Sequence, residues 1–403
     1  MENTENTRPT VERSQQLPIV GISAGDPNGI GYEIIIKGLS HPHIFEICRP
    51  VVYGNLNVLR QHQKTLGEDW QKVPFQVVRS AKEAQDGKVS IVTCYPDNTP
   101  IRIGKSTVEG GNASYASLKQ ACDDLEAGLV DTLVTAPINK ENIQSENFKF
   151  SGHTEYLTNR FAEEGKDSLM MMVSDQMKIA LVCNHVPIAK VPSFISNERI
   201  LRKLHTLEST LEQDFAIRKP RIAVLALNPH AGDNGLIGQE EQTIIAPAVR
   251  QAREEGVLAF GPYSADGFFG SGKYTQFDAI LAMYHDQGLI PFKSLDMDGV
   301  NYTAGLHIIR TSPDHGTAYD LAGKDMASYE SFVHALCMSL DLKRRRTEYL
   351  ELTANPLPIK EPQPEKREHR EFKGFNPAEA RREREERIAA ERAARAEANA
   401  QND

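Results

Sequence analysis

Three short apolar runs, KIALVC, RIAVLAL and DAILAM, are each followed closely by a histidine: His185 in NHVP, His230 in NPHAG and His285 in YHDQG. Short apolar runs bounded by turn residues read as buried strands. Each histidine is then a polar residue just past a strand's carboxyl end, where open α/β sheets build their ligand sites. Three imidazoles brought together there leave positions open on a divalent metal, as a catalytic metal site requires. The alternative is three independent imidazoles, each hydrogen-bonded in its own surroundings. A spread of 100 residues from first to last leaves convergence open, and His315 is a competing ligand.

The rest of the chain repeats the strand theme. PIVGIS at 18–23, DTLVTA at 131–136 and SLMMMV at 168–173 are further strand candidates. Between them, 113–127, 194–212 and 238–255 carry helical patterns, the last placing Ile244, Ile245, Val249 and Ala252 on one face. Strand–helix alternation predicts α/β layers around a largely parallel sheet. No internal repeat is visible.

The ends differ in composition. Residues 1–16 read as a polar leader without the apolar core of a secretory signal. From about Asn355 proline and charge dominate, which suits a linker. The segment after it, NPAEARREREERIAAERAARAEANA, has Asn376 as a candidate cap, Pro377 for the first helical position and Glu379 in the first turn. Glu383–Arg387 and Glu391–Arg395 have ion-pair spacing, and Ile388 is the only large aliphatic residue, so a solvated helix is expected.

A net charge of -9 argues against wholesale binding to nucleic acid. Five scattered cysteines without a CxxC pair argue for a reducing compartment rather than a disulfide framework. No apolar run approaches the ~20 residues of a membrane span. A cytoplasmic protein bound to neither membrane nor nucleic acid is expected.

Chemistry-bearing residues cluster in a few segments. SAGDPNGIGYEI is a glycine turn entering a helix, which either shapes the chain or cradles an anion. Lys140 follows a strand and a proline turn. In SGHTEYL, Ser151 or Gly152 starts a helix, which leaves His153 and Thr154 near its positive end. The densest stretch runs from Asp266 to Arg310 and on to Asp314 and His315. YHDQGLIPFK places His285, Asp286 and Lys293 on one loop. Asn301 and Arg310 follow, with Arg310 closing the apolar LHII and TSPDHGTA turning into a helix. Lysine, arginine and asparagine together supply donors for a phosphate or carboxylate.

Taken together, SGHTEYL, NPHAGDNGLIGQEE, SADGFF, YHDQGLIPFK and GVNYTAGLHIIRTSPDHGTA make residues 17–345 resemble the 4-hydroxythreonine-4-phosphate dehydrogenase family of vitamin B6 biosynthesis. The resemblance implies that His185, His230 and His285 bind one divalent metal (zinc, magnesium or cobalt). It implies that His153, Thr154, Lys293, Asn301 and Arg310 bind substrate, and that Asp266 and Asp286 line the same pocket. With Lys140, these two aspartates are the candidate catalytic bases. Fold analogy puts NAD or NADP near Asp314, His315 and Gly316. The implied fold is the two-domain α/β/α architecture of the isocitrate and isopropylmalate dehydrogenases, with the active site in the cleft. The division would be 17–130 plus 285–345, then 131–284, with 346–403 as charged linker and tail. The implied assembly is a homodimer whose active sites draw on both subunits.

The activity so implied is oxidation of 4-phosphohydroxy-L-threonine and decarboxylation to 3-amino-2-oxopropyl phosphate. Three departures from the family pattern stand out: SAGDPNGIG for a TPGEPAGIG-like turn, Asn139 for a common histidine, and the acidic SLDMDG for a glycine-rich stretch. They keep a related dehydrogenase of a four-carbon sugar acid phosphate in view. A metal-dependent phosphate-ester hydrolase and a non-catalytic metabolite-binding protein are readings of other classes.

Overall fold

All six apolar runs singled out above form strands, and the strands join one sheet. The computed structural model describes residues 16–164, 167–357 and 377–400. In chain order the strands are β1 (Ile19–Ser23), β2 (Arg49–Gly54), β3 (Phe75–Val78), β4 (Val89–Thr93), β5 (Thr132–Thr135) and β6 (Leu169–Val173). Then come β7 (Lys178–Cys183), β8 (Ile222–Leu225), β9 (Ala259–Tyr263), β10 (Ala279–Tyr284), β11 (Val300–Ala304) and β12 (Arg310–Pro313). Across the sheet they lie in the order β3-β4-β2-β1-β5-β12-β11-β6-β7-β10-β8-β9. β5 and β6 are buried along their whole length, the burial expected of strands covered on both faces.

The expected parallel pairing holds on the two flanks, from β3 to β12 and from β7 to β9. It fails in the middle. There β11 runs antiparallel to β12 and β6, and β6 antiparallel to β7. The cause is local for β6 and β7. A tight turn joins them, with Ser174 N donating to Met177 O at 2.9 Å, and a hairpin pairs its strands antiparallel.

Helices pack on this sheet much as the sequence spacing predicts. Val108–Glu126 begins at Thr107, whose Oγ1 accepts from Gly110 N at 3.0 Å. Asn197–Gln213 begins at Ser196 in the same way. The 238–255 pattern becomes a wide π-type turn, Glu241–Ile245, followed by the α-helix Ala246–Glu254. Pro247 lacks the N–H that would extend a regular ladder back through that turn. Ile245, Val249 and Ala252 face inward as expected.

Two local expectations are corrected. His285, Asp286 and Lys293 lie on a helix, His285–Leu295, and not on a loop. Arg310 opens β12, and the chain after Pro313 stays irregular until a helix starts at Glu330 and runs to Thr353. The glycine turn takes its structural role. Asp26 N donates to Pro137 O at 2.9 Å and Ile30 N to Thr317 O at 3.0 Å, so these amides do not face an anion. Gly25 sits at φ +68°, and a Cβ there would lie 2.2 Å from Pro137 O. Only glycine lets the turn press against the segment that leads to Lys140.

Two large apolar clusters flank the sheet. One is built mainly from β6 to β10 with the helix Asn197–Gln213, and the other from β1, β2, β4 and the helices around them. Chain contacts divide the protein after Ala354. Beyond it, the helix Pro377–Ala400 carries the ion pairs Arg381–Glu385 (3.4 Å) and Arg387–Glu391 (3.9 Å). Arg387 pairs with Glu391, one turn on, instead of Glu383. The expected leader through residue 15 and the cap Asn376 lie outside the described residues. All five cysteines are free, with Cys48, Cys122 and Cys183 buried and Cys94 and Cys337 half-buried. Among the described residues no helix is long and apolar enough to cross a membrane.

Candidate active site

A cavity of about 300 Å³ opens where the ends of β7 and β10 meet the central strands. From the sequence candidates, Lys140, His153, Thr154, His185 and His285 line one part of it. Lys293, Asn301, Arg310, Asp314, His315 and Gly316 line the rest. Thus segments nearly 180 residues apart in sequence are brought to one place by the sheet order.

Arg310 sets the electrostatics. Its side chain is only 2% exposed. Nε and Nη2 donate to Thr135 Oγ1 at 3.0 and 2.6 Å, and Nη1 donates to Thr303 Oγ1 at 2.9 Å. Both acceptors are neutral hydroxyls. Among the described residues no salt bridge pairs the guanidinium, and burial pulls it down to about 10 against the opposing charge of Glu155. An N–H on each Nη remains for a ligand. A buried cation without an anion costs several kcal/mol, a cost that a bound phosphate or carboxylate offsets.

Around Arg310 stand polar atoms that lack partners. Among the described residues His153 Nε2, Asn301 Oδ1 and His315 Nε2 are out of solvent and make no hydrogen bond. Buried polar groups are normally satisfied, so a cluster of orphans in one cavity marks where a ligand's polar atoms go. Burial keeps His153 well below the ordinary histidine range, with the charges of Arg310 and Lys140 adding to the effect. It is therefore a neutral imidazole. His315 is also pushed down by burial, against the pull of the Gly316 carbonyl. Lys293 Nζ pairs with Asp314 Oδ2 at 3.0 Å. Burial raises the Asp314 carboxyl in spite of that lysine.

The histidines divide into a pair and a single. His185 and His285 stand with ring centroids 5.8 Å apart. His185 Nδ1 lies 3.2 Å from Glu155 Oε1, and Lys140 Nζ donates to its Nε2 at 3.5 Å. His285 Nδ1 lies 2.8 Å from Asp286 Oδ1. In both rings a carboxylate faces Nδ1, the arrangement that orients metal-ligating histidines. His230 does not line the cavity. It is exposed, on the turn 229–235, where His230, Ala231, Asp233 and Asn234 all have positive φ. Such backbone costs non-glycine residues energy and concentrates at functional sites. Among the described residues, no single-chain group of three metal-binding side chains forms. The donor set of one chain therefore fits two thirds of the expected metal site.

The candidate bases also separate. Lys140 lines the cavity. Asp286 is engaged with His285, and Asp266 is exposed and accepts from Ser264 Oγ at 2.6 Å. Asp266 lies near His230, whose charge helps hold its carboxyl low after the hydrogen bonds from Ser264 and Gly267. The two departures at Asn139 and SLDMDG stay outside the cavity wall. Asn139 Oδ1 accepts from the amides of Glu141 and Asn142 and shapes the loop after Lys140.

Sequence reasoning missed Glu155, Thr135 and Thr303. Burial raises the Glu155 carboxyl, but hydrogen bonds, with His185 foremost, outweigh this and hold it below the usual range. It follows Thr154 directly, in the first turn of the helix His153–Phe161. That neighbourhood was the available signal. Thr135 and Thr303 read as ordinary β-branched strand residues, and nothing local marks them.

Known proteins resemble the chain over most of its length. Residues 46–339 match the family model described as pyridoxal phosphate biosynthetic protein PdxA. A 4-hydroxythreonine-4-phosphate dehydrogenase of Bacteroides thetaiotaomicron is 49% identical over 339 residues, covering 84% of this chain and 92% of that one. The crystal structure of the Klebsiella pneumoniae 4-hydroxythreonine-4-phosphate dehydrogenase aligns with a TM-score of 0.71 at 32% identity, over 82% of this chain and 99% of that chain. The corresponding Burkholderia phymatum structure aligns with a TM-score of 0.66 at 35% identity, over 81% and 99%.

Proposed function

The chain belongs to the PdxA family of pyridoxal phosphate biosynthetic proteins, and we propose that it acts as a 4-hydroxythreonine-4-phosphate dehydrogenase. The reaction oxidises the C3 hydroxyl of 4-phosphohydroxy-L-threonine to a ketone. Loss of carbon dioxide from the resulting β-keto acid gives 3-amino-2-oxopropyl phosphate. The observation that carries this reading is Arg310, a buried guanidinium held by two hydroxyls and in no salt bridge with a described residue.

The chain's own residues divide the work. Arg310 and Lys293 supply positive charge to a substrate that carries a phosphate and a carboxylate. Neutral His153 donates or accepts without adding charge, and Asn301 Oδ1 accepts from a substrate donor. Thr154 stands beside His153 on the same helix start. Lys140 is the base we favour, because among Lys140, Asp266 and Asp286 it alone lines the cavity. It takes the hydroxyl proton as the hydride leaves C3. After the C1–C2 bond breaks, a proton returns to C2.

A nicotinamide cofactor, NAD or NADP, would supply the hydride acceptor, and we assign its place to the edge formed by Asp314, His315 and Gly316. His185 and His285 would hold a divalent cation through their Nε2 atoms, and such an ion lowers the pKa of a bound hydroxyl and polarises the ketone. His230 would come from a second copy of the chain. The exposed apolar side chains Leu236, Ile237 and Ile290 support that reading, since they surround the turn of His230 and the helix of His285. A homodimer with shared sites then completes the three-histidine set. We also read the sheet as two lobes, 17–130 with 285–345 and 131–284.

The test is nicotinamide reduction with 4-phosphohydroxy-L-threonine, run beside a free-phosphate assay. Reduction supports the dehydrogenase. Phosphate release without reduction supports a hydrolase instead.

A further inference from the structure

We propose that Asp26 is a positioning residue that holds the loop of Lys140 and the edge formed by Asp314, His315 and Gly316 at a fixed spacing, so that base and nicotinamide meet at one carbon. This rests on the roles given above to Lys140 and to that edge. Asp26 stands in the glycine turn after β1, is fully buried and does not line the cavity. Its side chain accepts from three neutral donors. Oδ1 accepts from the Asn28 amide at 2.8 Å, which closes the turn on itself. Oδ2 accepts two hydrogen bonds from outside the turn, from Asn142 Nδ2 at 2.7 Å and from the Tyr319 hydroxyl at 2.7 Å. Asn142 lies two residues after Lys140, and Tyr319 lies three residues after Gly316. One carboxylate oxygen thus joins two segments that are 177 residues apart in sequence.

The backbone repeats the link, since the same turn donates from Asp26 N to Pro137 O and from Ile30 N to Thr317 O. The approach is close on both sides. A Cβ at Gly29 would lie 2.7 Å from Thr317 O, and one at Gly111 would lie 1.9 Å from Asn142 O. Asn142 Nδ2 also donates to Thr107 O at 3.1 Å and lies 3.3 Å from the Tyr319 hydroxyl. Asn142 is therefore fixed between the helix Val108–Glu126 and Asp26. Burial, with Asp26 adding to it, pushes the Tyr319 phenol up to about 12, so the hydroxyl keeps the proton that it donates. Hydrogen bonds to a charged acceptor are the strong ones, and here one acceptor serves both segments. Arg310 has its own supports in Thr135 and Thr303. The clamp thus bears on the geometry of proton and hydride transfer more than on anion binding. A misplacement of about 1 Å at a reacting group costs about a hundredfold in rate.

Tyr319→Phe removes one hydroxyl and keeps the ring, and Asp26→Asn keeps the shape and removes the charge. With 4-phosphohydroxy-L-threonine, both variants are expected to lose about tenfold to a hundredfold in kcat, while KM for that substrate changes by less than about twofold. Deuterium at C3 of the substrate gives the second readout. The isotope effect on kcat is expected to rise in both variants, because hydride transfer becomes the slow step. Where Asp26→Asn does not fold, Tyr319→Phe carries the test alone. A kcat in Tyr319→Phe within about twofold of wild type overturns the inference. A lower kcat with an unchanged isotope effect overturns it as well, since that is the mark of a smaller folded fraction and of a merely structural residue. A wild type without nicotinamide reduction contradicts the proposed function and this role with it. An active wild type beside an undisturbed Tyr319→Phe contradicts the role of Asp26 alone.

Discussion

Arg310 donates two hydrogen bonds to a single neutral oxygen, Thr135 Oγ1, from Nε at 3.0 Å and from Nη2 at 2.6 Å. Thr135 ends β5 and Arg310 opens β12, and the two strands pair in parallel with Arg310 opposite Leu133. The register therefore fixes the guanidinium, and the hydroxyl orients it without neutralising it. An enzyme that must release its product gains from this arrangement, since a carboxylate partner would compete with the substrate's anion.

Thr135→Val is expected to preserve the fold, because valine has the same branched shape. It removes the acceptor that orients Arg310. A rise in KM of about tenfold for the phosphorylated substrate, with a smaller change in kcat, is the expected outcome. Steady-state kinetics with a thermal melt as control check it. An unchanged KM would show that Thr303 alone holds the guanidinium.

Arg310→Met separates stability from binding. Removing a buried cation without a counter-charge is expected to leave the melting temperature unchanged or higher. Activity is expected to fall by at least about a hundredfold, since the anion loses a charged donor. A calorimetric melt and a turnover assay on the same preparation test both halves. A marked drop in melting temperature would show that Arg310 is structural.

His153 gives a pH dependence whose sign follows from its direction of shift. Burial, aided by Arg310 and Lys140, holds it well below the ordinary value in the folded protein. The unfolded chain takes up its proton near about pH 6.5. As pH falls below that value, the unfolded state binds more protons, and stability drops towards the folded-state pKa. His62 and His315 are shifted the same way, chiefly by burial, and contribute in the same direction. His153→Gln is expected to flatten, without abolishing, the loss of stability between about pH 7 and pH 5. Urea midpoints across that range test it, and an unchanged slope would contradict a neutral His153.

Much of this site was legible in the sequence because motifs carry their own local structure. The post-strand position of His185 and His285 follows from the apolar runs before them, and the helix start at Gly152 follows from the turn that precedes it. YHDQGLIPFK forms a helix and not the expected loop, although proline and glycine are poor helix formers. In fact proline sits within the helix His285–Leu295, where packing on β10 and β7 overrides the local penalty. The contact of Glu155 with His185 was not legible, because it joins residues from two elements that only the sheet order brings together. The antiparallel centre was hidden for the same reason. Strand periodicity says nothing about strand direction.

Sharing of the metal site between two copies can be tested by mixing. His185→Ala and His230→Ala should each be inactive. If His230 of one chain serves His185 of the other, a mixed dimer has one intact and one doubly damaged site. Random reassembly then restores about a quarter of wild-type activity. No recovery, in a mixture shown to exchange subunits, would place all three histidines in one chain's site.

Ending the chain at Ala354 is expected to leave turnover and dimerisation unchanged, because the contacts of the chain divide there. Kinetics and sedimentation of the shortened protein check this. Loss of either property would give the segment after Asn355 a structural role.

The most direct measurement is NADH or NADPH formation from 4-phosphohydroxy-L-threonine with and without a metal chelator. Reduction is expected in the presence of a divalent metal, with loss of it in chelator and recovery when metal is returned. Full activity in chelator-treated, metal-free buffer would contradict the role given to His185, His230 and His285, and no reduction under any condition would contradict the dehydrogenase itself.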